Sequence, residues 1–391
     1  MGHVLLAPDK FKGSLTAVEV VRHLTAGLRR AAPDIEVRGF PVADGGDGTL
    51  DAAVSAGFRR VPVSVAGPTG AEVRTAFGYA DGVAVVELAD ACGLRRLPAG
   101  VPEPLRASSR GAGEVIRAAL AYGCSEVVLG LGGSASTDGG AGLVGALGVR
   151  LLDESGAELS PGGAALRHLH RVDLTGLHPA VRRTRFVVAG DVDNPLLGPT
   201  GAAAVYGPQK GATADDVAVL EAGLTRWADL AEPAIEAAGL RGAAPGPRVR
   251  DRAGAGAAGG VGFAALGFLG ARFRPGIELL LDLLGFAEAV AGADLVVTGE
   301  GSLDGQSLHG KAPVGVAGAA VLAGVPTVAV AGQVSVGPER LRGAGIEAVY
   351  PLTSVEPDPA ACLDRAAELV EKVAELLAAD WLDRSGRVRR R

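Results

Sequence analysis

Residues 127–148, VVLGLGGSASTDGGAGLVGALG, constrain the fold more than any other stretch. An apolar, β-branched run passes into two clusters of glycine, small hydroxyl residues and one aspartate, then into small apolar residues at helical spacing. That order predicts strand, glycine-rich loop, helix. Glycines leave backbone N–H groups uncovered, and a helix N-terminus adds the positive end of a dipole, so such a turn can hold a phosphate. Asp138 adds a carboxylate able to hold Mg2+ beside it. A tight turn capped by Asp138 accounts for the same residues without any ligand.

The same grammar recurs at both ends of the chain. Residues 3–8, HVLLAP, read as a buried strand, and Ser14 or Thr16 can cap a helix over about 17–30. Lys10 and Lys12 then sit in a loop at a strand's carboxyl end, where open α/β sheets bind ligands. A strand over 36–42 leads into ADGGDGT and a helix from about Leu50. Asp44 and Asp47, three apart among glycines, can share a cation or orient a hydroxyl, although Asp-Gly pairs are also ordinary turn formers. Residues 185–198 give a strand that ends in Asp191 and Asp193 before the Asn194-Pro195 break, and Lys210 follows between two glycines. From Ala293 the order is strand, polar loop, helix, strand, with Glu300, Asp304, Gln306 and Lys311 in one loop.

The middle differs. Residues 61–88 alternate and carry turn pairs, which predicts antiparallel hairpins. With 391 residues the chain exceeds what one core usually serves. The expected fold is therefore α/β in two domains. A Rossmann-like parallel-sheet domain takes 1–62 and 290–391, an inserted mixed α/β domain with the glycine-rich phosphate loop takes 63–289, and the active site lies in the cleft between them.

Sixty glycines make a lone glycine uninformative, so only glycines clustered with polar residues carry weight. A net charge of −6 argues against a nucleic-acid partner. The basic tail RSGRVRRR reads as a solvated end. Three scattered cysteines and six histidines without ligand spacing give no disulfide framework and no metal cluster, which fits a reducing cytoplasm. The N-terminal apolar run is too short for a secretory signal. The uncharged run 253–271 is mostly Gly and Ala and reads as a loop entering a packed helix, not a membrane span.

Three nucleotide fingerprints need weighing. Gly254-Ala-Gly256-Ala-Ala-Gly259 matches GxGxxG but follows no strand. The run from Gly305 to Lys311 nearly matches a P-loop, with Ala312 in place of the Mg2+-ligating hydroxyl. Gly130-Leu-Gly132-Gly-Ser-Ala135 follows a strand, and Asp153 lies where a ribose-binding acid belongs, so the alternative function is an NAD-dependent dehydrogenase acting on a small hydroxy acid through this GLGGSA loop. Against it, Ser136 to Gly140 intervene before the helix, and a carboxylate beside a pyrophosphate repels without a metal between them.

Phosphoryl transfer asks for cradling N–H groups, lysines, a carboxylate-held Mg2+ and a base, and this chain offers each at strand ends. APDKFKGSLTA, PVADGGDGT, GLGGSASTDGGAG, GDVDNPLLGPTGAA, YGPQKGA, GAGAAGG, RPGIELLLD and TGEGSLDGQSLHGKAPVGVA, in that order, resemble the bacterial glycerate kinase family of the glycerate 2-kinase type over nearly the whole chain. The resemblance implies ATP-dependent phosphorylation of D-glycerate at the 2-hydroxyl, with Mg2+; 3-phosphoglycerate is the other regiochemical outcome, and a monomer or homodimer in the cytoplasm is expected. The chain departs from the family pattern at Lys10, at Ser302 and at Ser136-Thr137, which bears on substrate contacts. Among the residues, Lys12, Lys210 and Lys311 are assigned to phosphates or the glycerate carboxylate. Gly132, Gly133 and Ser134 are assigned to the ATP phosphates. Asp44, Lys12, Glu300 and Gln306 are assigned to substrate, Asp47 and Lys12 belong to the catalytic set, and Asp44, Asp47, Asp138 and Glu300 are candidates for Mg2+ or the substrate hydroxyls. Asp138, Asp191 and Glu300 are assigned to Mg2+, and Asp191 is also the expected base.

Overall fold

Near-continuous apolar runs build the first of two sheets. In the computed structural model the described residues are 2–240, 246–305, 307–308, 310–383 and 388–389. They form two compact units: Met1–Asp44 with Asp51–Gly57 and Pro275–Arg391, and Gly45–Leu50 with Phe58–Arg274.

The first unit carries five parallel strands in the spatial order Ile346–Pro351, Thr327–Val334, Ala293–Leu303, His3–Pro8, Val37–Gly39. Their unbroken hydrophobicity follows from burial on both faces. Val328 and Val330 join a core with Leu24, Leu28, Val373 and Leu377, whereas Ala329 and Ala331 join the opposite one with Ala317, Leu341 and Ile346. Helix Ala17–Ala31 starts at Thr16, not Ser14: Thr16 Oγ1 accepts from the Glu19 N–H and the Thr16 N–H donates to Glu19 Oε2, a reciprocal capping box. The C-terminal helical segment is broken into Pro359–Asp364 and Ala366–Trp381, with Arg365 between them at φ −110°.

Register brings three chain segments together at this sheet's carboxyl edge. Pro8 pairs with Gly299, and the Asp9 N–H donates to the Gly299 carbonyl at 2.8 Å. The chain after Val37–Gly39 keeps alongside the first strand, with Phe40 N–H to Leu6 C=O at 2.7 Å and Val42 N–H to Pro8 C=O at 3.0 Å. Asp9, Asp44 and Glu300 are thereby neighbours.

The second unit has a six-stranded sheet in the order Arg272–Arg274, Arg185–Ala189, Glu126–Gly130, Val83–Glu87, Glu72–Ala80, Arg59–Ala66. The first four strands are parallel and the last two antiparallel, the hairpins that alternation over 61–88 anticipates. Ile116, Leu129, Leu143, Leu224, Trp227, Phe263 and Phe268 share one core. Arg150–Leu152 leaves the main sheet and pairs with Arg171–Asp173. Residues 253–271 contain the buried helix Ala257–Gly267, and among the described residues no helix is long and apolar enough to cross a membrane.

Candidate functional site

The glycine loop of the second unit folds as anticipated, as strand Glu126–Gly130, loop, helix Ala141–Ala146. Its polar groups do different work from that expected. Asp138 is 1% exposed. Its Oδ2 accepts from the Ser109 N–H at 2.8 Å, the Ser109 hydroxyl at 2.9 Å, the Gly142 N–H at 3.2 Å and the Ser108 hydroxyl at 3.3 Å; its Oδ1 accepts from the Gly140 N–H at 3.1 Å. A carboxylate bonded in this way anchors the loop, chiefly through Oδ2, while Oδ1 accepts a single hydrogen bond. The Gly132 N–H is likewise spent, on the Gly45 carbonyl at 3.2 Å. Lys210 is 3% exposed, and its Nζ donates to Ser134 Oγ at 2.8 Å and to the Ser136 carbonyl at 2.5 Å. Burial pushes its pKa down to about 7, against the pull of Asp138.

Beside this loop lies the turn from Gly45 to Thr49, which belongs to the same unit, whereas Asp44 belongs to the first. Glu87, buried at its strand's end, accepts from the Gly48 and Leu50 N–H groups at 3.2 and 3.0 Å and pairs with Arg95 at 2.7 Å. Burial holds the Glu87 pKa above the usual carboxylate range, opposed by the Leu50 N–H and Arg95. Arg95 reaches Asp47 Oδ1 at 3.3 Å as an ion pair, yet that oxygen is buried and accepts no hydrogen bond. Asp191 lies two residues beyond strand Arg185–Ala189 on an exposed turn. The Asn194-Pro195 turn is held by Asn194 itself, whose amide donates to the Thr200 carbonyl at 2.8 Å and whose oxygen accepts from Tyr206.

In the first unit the sheet edge gathers charge. Asp9, absent from the sequence-based set, is 5% exposed and accepts from the Lys10 N–H at 2.7 Å, with Lys10 Nζ at 3.5 Å. Burial pushes its pKa up to about 7; Lys10 opposes, and the charges of Asp44 and Glu300 add to the rise. Burial also raises Glu300, opposed by Ser307 and Lys311, and Glu300 Oε1 is buried without a hydrogen-bond partner. Lys311 caps helix Ala312–Leu322 by position, and Lys12 is exposed on the loop after the first strand. Gln306 lies outside the described residues. The signal for Asp9 was available: it directly follows a strand, the same criterion that singled out Asp191.

No group of three or more His, Cys, Asp or Glu side chains able to hold a metal occurs among the described residues. Mg2+ with a nucleotide does not need one, since it is held by one or two carboxylates plus phosphate oxygens and water. The unpartnered Glu300 Oε1 fits that demand. The dinucleotide fingerprints fare worse. Asp153 sits on an exposed turn outside the main sheet, accepting from the Ser155 N–H and hydroxyl and the Ala157 N–H, not at the end of the next parallel strand. In the GAGAAG run, Gly256 donates to the Asn194 carbonyl and Gly259 accepts from the Gly139 N–H, so its glycines pack loops together.

A family model described as "Glycerate kinase family" matches residues 4–382. A glycerate kinase of Bacillus subtilis (strain 168) is 44% identical over 379 residues, 96% of this chain and 97% of that one. A glycerate 2-kinase of Escherichia coli (strain K12) is 41% identical over 357 residues, 90% of this chain and 91% of that one. A solved structure described as a glycerate kinase 2 from Salmonella typhimurium LT2 superposes with a TM-score of 0.80 at 40% identity, covering 97% of this chain and 98% of that one.

Proposed function

The chain belongs to the glycerate kinase family, and from that premise we propose that it transfers the terminal phosphoryl group of ATP to D-glycerate, giving ADP and 2-phosphoglycerate. The observation that carries this is the group Asp9, Lys10, Asp44, Glu300 and Lys311 at the carboxyl edge of the first unit's parallel sheet. Buried carboxylates beside lysines are what a transferring phosphoryl group and a small hydroxy acid require. The 41% identity to a protein named glycerate 2-kinase supports the 2-hydroxyl as acceptor.

In this reading Gly133 and Ser134 bind the nucleotide's phosphates, and Lys12 and Lys311 neutralise phosphate or the glycerate carboxylate. Asp44 receives the glycerate hydroxyls, Asp47 orients the reacting one, and Asp191 takes its proton. Glu300 is the residue we assign to Mg2+, which when bound neutralises and orients the phosphoryl group. Asp138 and Gly132 are left out because the protein already uses their polar atoms.

The test is ADP release from the purified protein with Mg-ATP and D-glycerate, with the product resolved by 31P NMR. Glycerate-dependent ADP with a 2-phosphoglycerate resonance supports the proposal. A 3-phosphoglycerate resonance overturns the regiochemistry and keeps the kinase. Absence of turnover overturns the substrate assignment.

A further inference from the structure

The glycine loop is held by three tethers that come from distant parts of the second unit. Asp138 is anchored on Ser108 and Ser109, at the start of helix Arg110–Ala121. Trp227 Nε1, from helix Ala214–Ala237, donates to the Gly139 carbonyl at 3.0 Å. Lys210 reaches Ser134 and Ser136 from the chain segment between these elements. The third tether is unusual because it uses a charge that solvent does not reach. The Nζ has two short acceptors, and on its far side it is closed off by the 254–260 loop: a Cβ built on Gly259, at φ +69°, would stand 2.8 Å from Lys210 Nζ and 2.0 Å from the Ser136 carbonyl. A lysine that binds phosphate in solution-facing fashion needs its ammonium at a surface. This one is sealed beneath the loop.

We propose that Lys210 is a positioning residue: by bridging the Ser134 hydroxyl and the Ser136 carbonyl from beneath, it fixes the 131–138 loop in the shape that receives the nucleotide's phosphates, without touching them itself. The assignment rests on the reading of that loop as the phosphate site. The physical reason is the cost of the alternative. A glycine-rich loop loses more conformational entropy on ordering than any other backbone, so it stays preformed only where buried hydrogen bonds hold it. The Ser136 and Thr137 hydroxyls are buried with no hydrogen-bond partner, so they give the segment between Ser134 and Asp138 no help. The two buried hydrogen bonds that the Lys210 Nζ donates supply what they do not.

The deciding experiment is amide hydrogen exchange over residues 131–140 in the ligand-free protein, for wild type, Lys210→Met and Ser134→Ala. Loss of a buried hydrogen bond raises local opening by about tenfold or more. Lys210→Met is expected to show that increase before any nucleotide is added, together with a raised KM for ATP and a smaller change in kcat. Ser134→Ala, which removes one of the two bonds, is expected to raise the exchange of the ligand-free loop in the same way but less; its KM does not discriminate, because Ser134 is itself assigned to the phosphates. Wild-type exchange in ligand-free Lys210→Met overturns the proposal and returns Lys210 to direct phosphate contact. If Lys210→Met does not fold, Ser134→Ala decides by the same criterion. Failure of the underlying reading looks different: ADP or ATP would then leave the exchange of 131–140 in the wild-type protein unchanged, whatever the variants do without nucleotide.

Discussion

Asp9 and Asp191 show two uses of a carboxylate that follows a strand. Asp191 is exposed on its turn, and with the base role proposed for it, Asp191→Asn is expected to lower kcat by roughly 10²–10⁴-fold with little change in KM. Steady-state kinetics with D-glycerate checks this, and near-normal turnover removes Asp191 from the base role. Asp9 is buried among like charges, and its pKa is pushed up to about 7 from 3.8. Between those values the folded protein holds a proton that the unfolded chain releases. Asp9 therefore favours folding below about pH 4, and this contribution is lost as pH rises through 7. Asp9→Asn is expected to gain stability relative to wild type on going from pH 5 to pH 8, read as the difference in Tm. Parallel Tm curves for the two proteins across that range would refute it.

At the scale of elements, the cap and the amphipathic face of helix Ala17–Ala31 are legible in the sequence, because both are set by neighbours three and four residues away. What that helix packs against is not. Gly27 lies in its middle, where local propensity favours Ala by about 1 kcal/mol. Yet a Cβ there would stand 2.2 Å from the Glu371 carbonyl on helix Ala366–Trp381. The two helices are also tied by His23 and Arg30 to Glu371, at 2.6 and 2.7 Å. Gly27→Ala is thus expected to destabilise by about 1–3 kcal/mol, opposite in sign to its helix propensity. Urea denaturation measures this directly, and a stabilised variant would mean that the helices separate at no cost.

For the whole molecule, the described residues bury their apolar side chains in separate cores: a large one and a small one around Leu97, Ala107 and Ala135 serve the second unit, and two lie on the opposite faces of the first unit's sheet. Separate cores in a chain of this size predict unfolding that is not two-state. Differential scanning calorimetry is expected to give a calorimetric enthalpy larger than the van't Hoff value. Equality of the two would mean that the units melt as one. The chain passes between the units at residues 44/45, 50/51, 57/58 and 274/275, so the Asp44–Asp47 motif is divided, one aspartate in each unit. No spacing rule reveals that division.

The sequence by itself determined the α/β class, the strand–loop–helix at 127–148, the hairpins of 61–88 and the family. Each of these depends on periods, turn residues or motifs within a few positions, and local sterics and hydrogen bonding settle them. It could not say which polar atoms in the loops are left over for a ligand. Asp138, Gly132 and Lys210 look like ligand groups in sequence, and in the structure they bond to Ser109, Gly45 and Ser136. Asp9, passed over in sequence, lies buried beside Glu300 through the parallel register of two strands nearly 300 residues apart. Burying a polar group is costly unless it finds a partner, and its partner can come from anywhere in the chain. Which groups are paired off, and which remain to meet a substrate, was therefore decided by tertiary structure alone.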